Sequence, residues 1–82
     1  MMSLITALEI TNNYPDQLLI DSGQDKSTGK HAGYLYRLKG ERIHKLMLST
    51  NASFDNSEGA KTYIDEVCKE AIRYIKTLKP TV

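Results

Sequence analysis

The chain has no tryptophan, one phenylalanine, one cysteine and two prolines in 82 residues. A lone cysteine, Cys68, excludes an internal disulfide framework and any zinc site made of cysteines alone. No apolar run approaches the roughly 18–20 residues that cross a bilayer. The opening MMSLITALEIT lacks the basic stretch that begins a secretory signal. A strong net charge is missing too: the formal value is +1, too small to draw the whole molecule to a polyanion. These absences point to a reducing cytoplasm and a single small domain spanning residues 1–82, near the lower size at which a hydrophobic core suffices.

Catalytic signatures are also lacking. No G-x-S-x-G elbow is present. His31 and His44 are the only histidines, and no carboxylate or thiol stands from them at a metal-ligand or general-base spacing. Gly23-Gln24-Asp25-Lys26-Ser27-Thr28-Gly29-Lys30-His31 has the glycines and lysine of a phosphate loop. A Walker A loop, however, needs four residues between its glycines, a Ser or Thr after its lysine, and a helix to follow. Here five intervene, His31 follows, and the next element reads as a strand. We read the stretch as a hairpin loop presenting Lys26 and Lys30. The expectation is a protein without cofactor, metal or catalytic activity.

What the chain does have is one strong helix. From Phe54 to Pro80, apolar residues recur at spacings of three and four: Ala60, Tyr63, Ile64, Val67, Cys68, Ala71, Ile72, Tyr74, Ile75 and Leu78. Asp55 is the expected N-cap, with Glu58 three residues on completing a capping box. Lys79-Pro80 is the expected stop. Cys68 falls on the apolar side, which predicts a buried structural thiol.

Ahead of that helix the pattern predicts a three-stranded antiparallel sheet. Tyr14-Pro15-Asp16 is a turn. Strands follow at 17–21, at 31–38 and at 43–50, with Lys39-Gly40-Glu41-Arg42 as a tight hairpin turn. Residues 3–11 fit two readings. As a helix, Ser3 caps and Leu4, Ile5 and Leu8 share a face; as a strand, Leu4, Thr6, Leu8 and Ile10 alternate. The helix is preferred. The fold class is therefore α+β, a small three-stranded sheet under a long C-terminal helix in the order αβββα, with a four-stranded ββββα chain as the alternative. Both faces of the last two strands carry apolar groups. One helix covers one face, so the other calls for the N-terminal segment, a second copy of the chain or a partner.

The charges are unevenly placed. Residues 1–25 hold Glu9, Asp16, Asp21 and Asp25 and no base, whereas 26–45 hold Lys26, Lys30, Arg37, Lys39, Arg42 and Lys45 against Glu41 alone. These six bases bracket Tyr34 and Tyr36, and together the eight residues form the expected partner-binding set. Their partner is another protein or nucleoprotein complex, or a nucleic acid with the tyrosines stacking on bases.

The αβββα order is similar to that of the double-stranded RNA-binding domain. That resemblance implies nucleic-acid binding, but such domains place a lysine cluster at the start of the last helix. Here that position reads Asp55-Asn56-Ser57-Glu58-Gly59-Ala60-Lys61, the wrong sign for phosphate. No binding residue is carried over. Size, plan and missing chemistry also look like the small accessory proteins of phages and mobile elements, anti-CRISPR inhibitors among them. The leading expectation is a non-enzymatic regulator or inhibitor acting through a basic β-hairpin.

Overall fold

The structure is a computed structural model that describes residues 3–78. Its order is αβββα: α1 (Leu4–Asn13), β1 (Leu18–Gln24), β2 (His31–Lys39), β3 (Arg42–Ser49) and α2 (Ser57–Leu78). The strands form one open antiparallel meander, β1-β2-β3.

The N-terminal segment is the helix, not the strand. Ser3 Oγ accepts from the Thr6 N–H at 3.1 Å, so one free donor of the first turn is satisfied. Ala7 and Ile10, three apart, are buried together. A tight turn over 14–17 follows, with a cis Tyr14–Pro15 bond. β1 then runs three residues further than the pattern 17–21 suggested, to Gln24, because Ser22, Gly23 and Gln24 pair with Gly33, Ala32 and His31. Cross-strand hydrogen bonding carries that polar end.

The β1–β2 connection is closed by Asp25. Its N–H donates to the Lys30 carbonyl at 2.8 Å, and its carboxylate accepts from the Ser27 N–H and hydroxyl at 2.9 and 2.7 Å. The second hairpin turns at Gly40, whose φ of 66° is the left-handed value that a two-residue turn needs at its first central position. β3 is irregular. Its pairing with β2 shifts twice, leaving Met47 and His44 as extra residues opposite Leu35/Tyr36 and Arg37/Leu38.

α2 starts differently from the sequence expectation. Its cap is Asn56, whose side-chain oxygen accepts from the Gly59 N–H at 2.7 Å. Asp55 instead meets Lys30 Nζ at 2.5 Å, so the Asp55–Glu58 capping box does not form. The sequence-level cap was displaced by a cation 25 residues away, which no local pattern encodes. The expected stop at Lys79-Pro80 lies outside the described residues.

Both helices lie on one face of the sheet. Ala7 and Ile10 of α1 join Leu35 of β2 and Ile64, Cys68, Ala71 and Ile75 of α2 in a single cluster. The N-terminal segment therefore completes the core beside α2 and does not fold back over the opposite face. The closest approach is at Gly33. A Cβ there would stand 2.7 Å from the Ala60 carbonyl oxygen and 2.7 Å from Ile64 Cγ1. α2 thus rests directly on the β2 backbone.

Gly33→Ala is expected to lower stability by about 1–3 kcal/mol, because a backbone carbonyl must retreat and the helix must lift. Urea unfolding followed by circular dichroism measures it; an unchanged midpoint would show that α2 does not sit on this glycine.

Candidate interaction surface

The eight residues singled out by charge and tyrosine content separate into four places. Lys26 and Lys30 lie at the β1–β2 end, and Lys39 and Arg42 at the β2–β3 end. The length of β2 separates the two, roughly 30 Å at about 3.4 Å per residue. Arg37 and Lys45 are a register pair in mid-sheet. They face the helices, because Glu9 of α1 receives both of them: Arg37 Nη1 at 3.1 Å and Lys45 Nζ at 2.8 Å. Tyr34 and Tyr36, alternating with Leu35 and Arg37, stand on the opposite face with their ring centroids 6.1 Å apart.

The uneven charge along the chain is thus partly an internal arrangement. One acid of the entry segment anchors α1 to two bases of the sheet. Glu9 is 21% exposed, and the Lys45 ammonium, with Arg37 behind it, holds its carboxyl below the usual carboxylate range against the opposing effect of burial. The gain is limited, since Arg37 Nε is buried with no hydrogen-bond partner among the described residues. Lys30 is likewise held by Asp55, whose own carboxyl is lowered by that contact. Among the described residues Lys26, Lys39 and Arg42 stand in no ion pair.

One stretch is set apart by its exposure. Every residue from 39 to 46 is exposed on the surface, eight in succession, although six of them belong to strands. The tip of the β2–β3 hairpin therefore projects beyond the helix layer. It carries Lys39 and Arg42 as a cross-strand pair, with Ile43 57% and Leu46 51% exposed beside them. Periodicity could place the hairpin, but not show that the helices stop short of its tip.

Sequence reasoning missed two further features. Tyr14 donates its hydroxyl proton to Asp65 Oδ1 at 3.1 Å, tying the first turn to α2. Burial, and then the Asp65 carboxylate, push its phenol above the ordinary value. Grooves also flank α2. One of about 730 Å³ is lined by Leu48, Phe54, Tyr63, Ile64 and Val67 with the hydroxyls of the 49–53 segment. Another of about 480 Å³ runs over Ala7 and Ala71 between Tyr63 and Tyr74, with Glu66 and Glu70 at its rim. None of the eight expected residues lines either groove, and neither holds a histidine or cysteine. No group of three or more His, Cys, Asp or Glu able to hold a metal ion occurs among the described residues, and none of the described helices is long and apolar enough to cross a membrane.

The chain matches no protein-family profile, no curated protein and no solved structure.

Two predictions follow from these contacts. Because the folded state lowers the Glu9 pKa, its contribution is fully present above the ordinary value near 4.5 and fades as pH falls through the lowered one. Glu9→Gln is therefore expected to cost about 1 kcal/mol at pH 7, discounted for the exposed lysine, and progressively less below pH ~4. Parallel urea titrations of both proteins at pH 7 and pH 3 check it, and a gap that persists at pH 3 would assign the loss to packing. Cys68 is fully buried, and desolvation, with Asp65 adding to it, pushes its thiol up to about 11. The folded protein should resist a disulfide-exchange reagent at pH 8 and release one equivalent of thiol on unfolding.

Proposed function

We propose that this chain is a non-enzymatic interaction protein that inhibits or regulates a larger protein or nucleoprotein complex by occupying one of its surfaces. The observation that carries the reading is the projecting hairpin tip. It joins two bases outside any described ion pair, Lys39 and Arg42, to the exposed apolar side chains Ile43 and Leu46. That combination suits an acidic partner surface with an apolar recess. Charge complementarity sets the encounter rate and the specificity, while the buried apolar pair holds the complex. Lys26, on the opposite end, and Tyr34 and Tyr36, on the open face, extend the contact where the partner is large. Small size, one sheet and one helix layer suit the steric inhibitors of phages and mobile elements, of which anti-CRISPR proteins are a kind. The single buried thiol of Cys68 suits a reducing cytoplasm.

A nucleic-acid-binding module is the second reading, and the tyrosine pair on an open sheet favours it, since bases stack on such platforms. The charges weigh the other way. Asp21 is the register partner of Tyr34, and Arg37 and Lys45 face the helices.

The test takes two steps. Titration against short duplex RNA, duplex DNA and single strands at low salt is expected to show no micromolar binding. Binding that weakens linearly on a log–log salt plot, with a slope near 0.9 per phosphate on duplex DNA, would establish the second reading instead. Tagged protein and its Lys39→Glu/Arg42→Glu variant are then compared as baits in the same cell extract. The expected result is a partner held by the first and lost by the second. Equal retention would move the contact off the hairpin.

A further inference from the structure

The sheet has a face on which neither helix lies. Strand register places a row of Leu19, Tyr36 and Leu46 straight across its middle. Beside it stand Leu38 and Ile43 on one side and Tyr34 on the other. Leu19, Ile43 and Leu46 are 37%, 57% and 51% exposed. Asp21, paired with Tyr34, is the one charged side chain in these rows, and it lies at the β1 margin. We infer that this face is closed by a second copy of the chain, sheet against sheet, about a twofold axis passing near Tyr36.

Three observations choose that occupant. The first is composition. The centre of the face is apolar and free of charge, as in homodimer interfaces, whereas a non-obligate interface taken whole is no more apolar than the rest of a protein surface. The second is symmetry. The two bulges of β3 space its rows unevenly, but the central row of Leu19, Tyr36 and Leu46 meets its own copy under a twofold, and either in-plane twofold through Tyr36 holds the two Asp21 carboxylates about 10 Å or more apart. The third is area. Three strands spaced about 4.8 Å and nine residues rising about 3.4 Å make a face of roughly 14 by 30 Å. Two such faces, with side-chain relief included, bury on the order of 1,000 Å², the lower bound of a specific interface. A dimer of micromolar stability is the outcome.

The pairing leaves the basic side of the tip free and buries Ile43 and Leu46 on its other side. Lys39, two residues beyond Arg37, and its register partner Arg42 belong to the helix side of the sheet. The dimer would therefore display two basic tips while withholding the apolar half of the contact proposed above, so that the second copy and the partner compete for Ile43 and Leu46. Dimerisation itself does not rest on that proposal, since it draws on the apolar rows and needs neither Lys39 nor Arg42.

Sedimentation velocity on the full chain, from about 1 to about 500 µM, tests the inference across the expected dissociation constant. The expected result is a monomer–dimer equilibrium in the micromolar range, with Leu46→Arg monomeric throughout and Ile5→Arg unaffected. Ile5 is 77% exposed on α1 and serves as the control for a general effect of removing surface apolar groups. Thermal melts confirm that both variants fold, as their exposure predicts; Leu46→Met, which keeps the apolar surface, should still dimerise if Leu46→Arg does not fold. A monomer at the highest concentration overturns the inference and leaves the face to a different partner. So does a dimer abolished by Ile5→Arg and untouched by Leu46→Arg or, where that variant does not fold, by Leu19→Arg.

Discussion

The structure depends on the contact between Gly33 and the first turns of α2. Only a residue without a Cβ lets the Ala60 carbonyl and Ile64 approach the β2 backbone this closely. The contact seats the helix low on the sheet, which brings Ile64, Cys68, Ala71 and Ile75 against Leu35. Hydrogen bonds on the same residue hold the strand in place: the Gly33 N–H donates to Thr50 Oγ1 at 2.8 Å, and its carbonyl accepts from the Thr50 N–H at 3.0 Å. The segment leading into α2 is thereby fixed to the strand that α2 covers.

With α2 seated there, room remains on the same face for one more short helix, and α1 takes it. Ala7 is small enough to let α1 pack beside Ala71, and Ile10 fills the space behind it. Glu9 then has only the sheet beneath it, so Arg37 and Lys45 converge on its carboxylate. An ion pair of this kind adds little net stability after desolvation. Its consequence is orientation: it ties α1 to β2 and β3 and engages two bases that would otherwise stand free. The candidate surface is what this packing leaves over, the hairpin tip and the apolar rows on the face without helices.

Much of the fold could be read from local patterns. The spacing from Ala60 to Leu78 determined α2 and its buried stripe, since period and length admit no other element. Ser3, the turn at Pro15 and Gly40 marked boundaries through chemistry that acts within a few residues. These features made the αβββα order legible. The candidate surface was legible only as a list. All eight residues lie on the sheet or its hairpins, as the pattern indicated, yet the list mixed outward, inward and terminal positions.

Local patterns thus decide the kind and order of the elements, because helix period, caps and turns are short-range effects. Tertiary structure alone decided the rest. It gave the helix cap to Asn56 because Lys30 engages Asp55 from across the loop. It set both helices on one face, where Gly33 admits α2 against the β2 backbone and Ala7 joins the same core. It drew Arg37 and Lys45 to the helix side because Glu9 arrives above them. Each of these outcomes joins residues far apart in the chain, and a contact of that kind exists only once the fold has brought its partners together.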